Sequence, residues 1–226
     1  MFDIALITSI LPALITAATL TLTLTALVVV LGCALALPVA LCKNARSPAL
    51  RAGANAYVLF FRGTPALVQL FLLYYGAGQF ELIRGSWLWP VLRDPFWCVV
   101  IALGLNSASY SGKTLAATLA AVPKGTREAA FVLGLGRTQA FWLVDMPLAV
   151  RAALPALSNE TILTCKATSL ASSVTLLELT GTARLLTSET YAPYEVFLSA
   201  GLVYLALNYA LMLGLRRLES ALRPQN

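Results

Sequence analysis

Apolar residues run almost unbroken through five stretches of the chain, around Leu11 to Val39, Ala54 to Gly76, Phe96 to Ala121, Val150 to Leu177 and Val196 to Leu215. Each is near or above the roughly 20 residues that a helix needs to cross a bilayer. The pattern predicts an all-α integral membrane protein of about five transmembrane helices. Between the third and fourth stretches it changes character. "REAAFVLGLGRTQAFWLVDMP", Arg127 to Pro147, is too charged to span and is marked by alanine and glycine.

That segment follows Pro123, Lys124, Gly125 and Thr126, a helix stop with Thr126 placed to cap a new helix. Glu128 then falls in the first turn, where a carboxylate meets the positive end of the helix dipole. Ala129 and Ala130 favour helix, and Gly134 or Gly136 ends it. So short a helix is marginal by itself in water, which gives a partner groove a physical rationale. A connector lying on the membrane surface fits the same residues.

Composition agrees with the bilayer: 59% of 226 residues are hydrophobic and 12% charged, against roughly 25% charged in soluble domains. The opening "MFDIALITSILPALIT" lacks a basic region and a small-residue cleavage site, so the first helix is expected to stay in the mature protein. Neither a repeat nor a linker tract divides the chain, and one membrane domain over 1–226 is expected.

A net charge of +6 raises nucleic acid as a partner, but the basic residues do not gather on one amphipathic face. They mark sidedness instead. Lys43, Arg46 and Arg51 follow the first stretch, Lys124, Arg127 and Arg137 the third, and Arg216, Arg217 and Arg223 the fifth. Five spans put all three clusters on one side, which the positive-inside rule makes the cytoplasm, with the N-terminus outside and the C-terminus inside. The intervening external segments hold Arg84, Arg93 and Arg184 beside Asp3, Glu81, Asp94, Glu178, Glu189 and Glu195, and Trp87, Trp89 and Trp97 suit an interfacial belt.

Little here is catalytic. Cys33, Cys42, Cys98 and Cys165 have no C-x-x-C spacing and there is no histidine, so buried, inert thiols are expected and no metal site. Gly112, Lys113 and Thr114 spell the end of a phosphate-binding loop, but Ser107 stands where its earlier glycine belongs and no strand precedes it.

The spacing of Glu128, Ala129, Ala130, Gly134, Val144, Met146 and Pro147 resembles the EAA loop of ABC importer permeases. "FRGTPALVQLFLLYYG", "AVPKGTREAAFVLG", "PLAVRAALPALSNETILTCKATSL" and "YEVFLSAGLVYLALNYALMLGLRRLE" extend the similarity over nearly the whole chain, to the polar amino acid uptake permeases. The segment before the third stretch and "LGLNSASYS" look most like their histidine/basic amino acid and opine branch, whose opines include octopine and nopaline. The resemblance implies a type I ABC importer permease fold with a coupling loop at about 122–147. It implies half of a channel: a second homologous permease (a heterodimer or a homodimer), two ATP-binding subunits holding ATP and Mg, and an external solute-binding protein, with no cofactor on this chain. Glu128, Ala129, Ala130, Gly134 and Pro147 then carry coupling to the ATPases.

Charges inside apolar stretches mark a partner or a water-lined path, since insertion scales set a central ion at roughly 2.5–3.5 kcal/mol. Asn106, Lys113, Glu160, Lys166, Thr168 and Ser169 are the candidates, with Glu160 receiving a cationic group. Charges that neutralise each other or snorkel are the alternative. Arg62, Gly63 and Pro65 read as structural, loosening or bending the start of the second helix. The family usually has an acid where Lys113 stands. Its reversal fits a lost cation site, a ligand with an added carboxylate, or a main site on the partner permease. A secondary transporter would need its own coupling charges and inverted repeats, and a membrane enzyme a nucleophile and base; neither set is evident.

Overall fold

The structure, a computed structural model, describes residues 3–222. The first apolar stretch lies within one helix, α1 (Ile4–Lys43), 40 residues long. At 1.5 Å per residue it spans about 60 Å, well beyond the hydrocarbon core. Asp3 caps it, its carboxylate accepting from the Leu6 amide at 3.1 Å. Threonines along α1 return their hydroxyls to the preceding turn, as Thr25 does to the Thr21 carbonyl at 2.7 Å.

The second stretch is not one straight span. α2 (Pro48–Gly63) ends at Thr64, and α3 (Ala66–Phe71) continues through a π turn (Leu72–Gly76) and a 3-10 turn (Ala77–Gln79) at 104° to it. Pro65 cannot donate an amide and holds the residue before it extended, which is the bend expected from Gly63 and Pro65. Two single-turn helices, α4 (Glu81–Arg84) and α5 (Trp89–Leu92), lead to α6 (Pro95–Ala121), capped by Asp94. α6 is 27 residues long but carries Asn106, three serines, Tyr110 and Lys113, so it is less apolar than its neighbours.

α1 and α6 run parallel and touch along their lengths. Added β-carbons show how closely: one at Gly32 would meet Ser107, one at Gly104 would meet Leu31 at 2.6 Å, and one at Gly112 would meet Val39 at 2.7 Å. Small residues at such crossings let backbones approach. Gly112, the false phosphate-loop glycine, is therefore a packing position.

After α7 (Lys124–Val132) a helical rod runs from Arg137 to Val174, made of α8 (Arg137–Ala140), a π turn (Phe141–Asp145), α9 (Met146–Ala167) and a 3-10 segment (Thr168–Val174). It starts at Arg137, 13 residues before the fourth apolar stretch at Val150, because the second half of the supposed loop is already helical. α10 (Leu179–Thr190) and α11 (Pro193–Leu222) complete the chain. By length and hydropathy α1, the rod and α11 each suffice to cross a membrane, and the bent α2–α3 pair counts as a fourth when taken as one span; α6, the fifth long helix, is not among them.

Expectation fails at Cys33, which is exposed rather than buried, and at Cys42, which is partly exposed. It fails also at Glu178, placed in an external segment. It is fully buried and caps α10, its two oxygens accepting from the Thr180 and Gly181 amides and from the Tyr204 hydroxyl, each at 2.9 Å. The adjacent Leu179 amide donates to Thr21 near the middle of α1. Leu179 and Ala183 then pack with Ile10, Leu14, Val196 and Ala200, so α10 runs back beside α1 and α11 returns parallel to it. The C-terminal ends of α1 and α6 thus share one end of the bundle, gathering Lys43, Lys124 and Arg127 there, and α11 carries Arg216 and Arg217 toward the same side. Arg223 lies outside the described residues.

Candidate functional site

The bend between α2 and α3 frees backbone carbonyls, and side chains claim them. Gln69 donates to the carbonyls of Phe61 and Thr64 and to the Thr64 hydroxyl, at 3.0, 3.1 and 2.7 Å. Asn106 of α6 donates to the same Phe61 carbonyl and to the Gln69 side-chain oxygen, both at 2.9 Å. The amide nitrogen of Asn106 is therefore spent on the bend. Gln69, 6% exposed, is the residue sequence reasoning missed; its only signal was a lone amide inside "PALVQLFLLYY".

Replacing Gln69 with leucine is expected to leave the Thr64 carbonyl and one Asn106 donor unpaired in an apolar setting, destabilising the fold by roughly 2–4 kcal/mol. Thermal unfolding of the detergent-solubilised protein reads this as a lowered midpoint; an unchanged midpoint would show that the bend does not need Gln69.

Beside this knot, α6 and α9 form the walls of an open cavity of about 190 Å³ lined by Asn106, Ser107, Tyr110, Glu160, Thr164 and apolar neighbours. Of the six residues suggested for a pathway, it brings together Asn106 and Glu160. Lys113 is not in it. Lys113 lies one turn further along α6, in a separate cavity of about 420 Å³ with Lys43, Asn55, Arg62 and Gly63. Tyr110 lines both, and the Arg62 guanidinium stacks over its ring at 4.6 Å. Lys166 is exposed on another face of the rod, Thr168 is buried with its hydroxyl on the Cys165 carbonyl, and Ser169 bonds the Lys166 carbonyl. These three take no part in either cavity.

At the basic end of the bundle, α7 starts at Lys124 with Pro123 as its extended N-cap, so Thr126 lies inside the helix and Glu128 in its second turn rather than the first. The helix closes as the sequence suggested. Gly134 takes φ +81°, the Leu135 amide donates to the Ala130 carbonyl at 3.1 Å, and the Gly134 amide to that of Phe131 at 3.0 Å. This is a Schellman closure, which requires a left-handed residue where glycine stands.

Glu128 and Ala129 are exposed, whereas Ala130 is 3% exposed and faces its own subunit. Val132 and Leu133 are 88% and 81% exposed, an apolar tip with no contact to bury it in this chain. Arg127 ties α7 to the rod. Its Nε and Nη2 reach Asp145 Oδ2 at 2.9 and 2.7 Å, Asp145 being buried in the π turn two residues before Pro147.

Over residues 28–224 the chain matches the family described as binding-protein-dependent transport system inner membrane component. It is 43% identical over 224 residues to an octopine transport system permease protein of Rhizobium radiobacter, covering 99% of this chain and 91% of that one. It is 39% identical over 208 residues to a nopaline transport system permease protein of Agrobacterium fabrum (92% and 86% covered). An arginine ABC transporter permease protein of Haemophilus influenzae is 42% identical over 170 residues (75% and 74% covered). Among solved structures, an amino acid ABC transporter crystallised with histidines superposes with a TM-score of 0.84 at 30% identity, covering 98% of this chain and 99% of that one. A methionine ABC transporter in an inward-facing conformation, 18% identical, shares the fold at a TM-score of 0.78 over 96% of this chain and 99% of that one. The chain therefore belongs to the binding-protein-dependent inner membrane component family, as a non-catalytic permease subunit of an ABC importer that works with ATPase subunits and a binding protein.

Proposed function

We propose that this subunit forms half of the translocation pathway of an importer for basic amino acids and their carboxylated, opine-type derivatives. The observation that carries the reading is Glu160, a half-buried carboxylate that lines a cavity with Asn106, Ser107, Tyr110 and Thr164. A guanidinium or ammonium group is the charge such a cavity selects. The relatives' names, octopine, nopaline and arginine permeases, agree with a basic cargo.

The N-terminus is outside and the C-terminus cytoplasmic, an orientation supported by the basic residues gathered at one end of the bundle. Arg62, Lys113 and Lys166 are exposed along this chain within its spanning helices, where lipid contact would be unfavourable. A second homologous permease, identical or not, covers the face that carries Arg62 and Lys113 and closes the path. The segment 122–147 is the coupling loop: Glu128, Ala129 and the α7 tip dock on an ATPase, while Ala130, Gly134 and Pro147 fix the helix in place. ATP and Mg are held by the two partner ATPases.

The reading is tested in proteoliposomes containing the complete importer and its binding protein. Glu160→Gln removes the charge and keeps the shape. Arginine uptake is expected to fall roughly tenfold or more, as for losing a hydrogen bond to a charged group worth about 1.5–3 kcal/mol, with the complex still assembled. Uptake equal to wild type would remove Glu160 from the pathway.

A further inference from the structure

α1 and α11 meet along a seam in which Ile10 and Leu14 pack on Val196 and Ala200. Outside that seam the two helices leave an open groove of about 680 Å³. Leu11, Ile15 and Leu22 stand along its α1 wall, Leu202, Val203 and Leu207 along its α11 wall, and among the described residues no charged side chain lines it. Its two hydroxyls are already spent, Thr19 donating to the Thr16 carbonyl and Ser199 to the Glu195 carbonyl, each at 2.7 Å. Water entering such a space finds no partner.

The groove lies along the N-terminal half of α1, whose last residue, Lys43, marks the basic end of the bundle. Both walls belong to helices long and apolar enough to cross a membrane, so the space is filled by hydrocarbon or by another spanning helix. Size favours hydrocarbon. From Ile7 to Leu22 the α1 wall is about 22 Å long, and from Ser199 to Leu207 the α11 wall is about 12 Å long. Over those lengths 680 Å³ gives a mean cross-section of about 30–60 Å², below the roughly 80–110 Å² of a helix 10–12 Å across. A helix lies across such an opening, whereas an extended chain of methylenes sinks into it. The longer wall also exceeds the roughly 15 Å depth of one leaflet, so a chain anchored at the surface touches it to its end. Charge agrees. The cavities that hold Arg62, Lys113 and Glu160, on the side proposed for the second permease, share no residue with the groove.

We infer that the α1–α11 groove is a binding site for one acyl chain of a membrane lipid, in the leaflet away from the basic end. The site depends neither on the cargo nor on which end of the bundle faces the cytoplasm. Lipid tails are as apolar as leucine, so the hydrophobic effect does not draw a tail from the bilayer into the groove. Contact does: between two walls of branched side chains a tail gains dispersion that an empty slot forfeits. The lipid then holds α11 against α1 beside the seam on which α10 also packs.

The test weighs the complete importer by native mass spectrometry after exposure to dioleoyl phosphatidylethanolamine in detergent. Thr19→Phe with Ala206→Phe fills the groove from two exposed positions, and Gly201→Phe adds the same ring on α11 where an added β-carbon meets nothing within 4 Å. The filled variant is expected to carry one lipid fewer per permease copy than Gly201→Phe, its groove occupancy falling about tenfold, or roughly 1.4 kcal/mol. Ala206→Leu, a smaller intrusion, is expected to give an intermediate loss and reads the site if the double variant does not assemble. Equal lipid counts in the filled variant and Gly201→Phe overturn the inference. So does loss of the second permease from the filled variant with its lipid count intact, which assigns the groove to a protein interface.

Discussion

Gly112→Leu is expected to prevent α1 and α6 from closing on each other, lowering the unfolding midpoint of the purified protein by roughly 6–12 °C, as for an overpacking penalty near 3 kcal/mol. Its β-carbon alone would sit 2.7 Å from two atoms of Val39 and 3.2 Å from the Ala36 carbonyl oxygen. Val39 is β-branched with few rotamers to retreat into, and a backbone oxygen cannot retreat without moving α1. Three further carbons make separation of the helices the only relief. Gly201→Leu on α11 is the matched control, because an added β-carbon there meets nothing within 4 Å. Equal midpoints for the two variants would show that α1 and α6 do not depend on glycine contact.

Which parts of this architecture were legible follows from how local each signal is. The Gly63–Pro65 break and the Gly134 helix end are written within a few residues and appear where expected, whereas the apolar windows locate the long helices but not the bend of the second or the early start of the fourth. The angle of the break was not legible, because Gln69 and Asn106 hold it from 37 residues apart. Glu178 was misplaced for the same reason: its neighbours suggested a polar external turn, while Thr21 and Tyr204, distant in sequence, bury it. Lys113 and Glu160 looked like two anchors of one site, yet Tyr110 stands between their cavities. Thr126 lost the N-cap position to Pro123, whose fixed φ suits the start of a helix without supplying a cap bond. The exposed Val132 and Leu133 were hidden by a motif that drew attention to Glu128 and the alanines.

Two variants of the proposed coupling loop are expected to fail in different ways. Val132→Asp with Leu133→Asp places charge on the apolar tip of α7, whose side chains lie outside this chain's own core. The permease should fold as before but bind its ATPase on the order of 100-fold or more weakly, since burying two such side chains in a partner groove is worth roughly 3–6 kcal/mol. Arg127→Leu instead leaves the tip intact and cuts the tie to Asp145. The buried carboxylate, whose second oxygen already lacks a partner, loses its only ion pair among the described residues. α7 then stays attached through Pro123 and the Ala130 packing but no longer drives the π turn from which α9, and Glu160 with it, extends. ATPase association should persist while its stimulation by the loaded binding protein falls several-fold, because rigid-body motion passes only through elements held in fixed register. Co-purification and stimulated hydrolysis measured on the same preparations separate the two effects. Undiminished ATPase binding by the doubly charged tip would move the docking surface away from Val132 and Leu133, and normal stimulation with Arg127→Leu would show that the α7 motion reaches α9 by another contact.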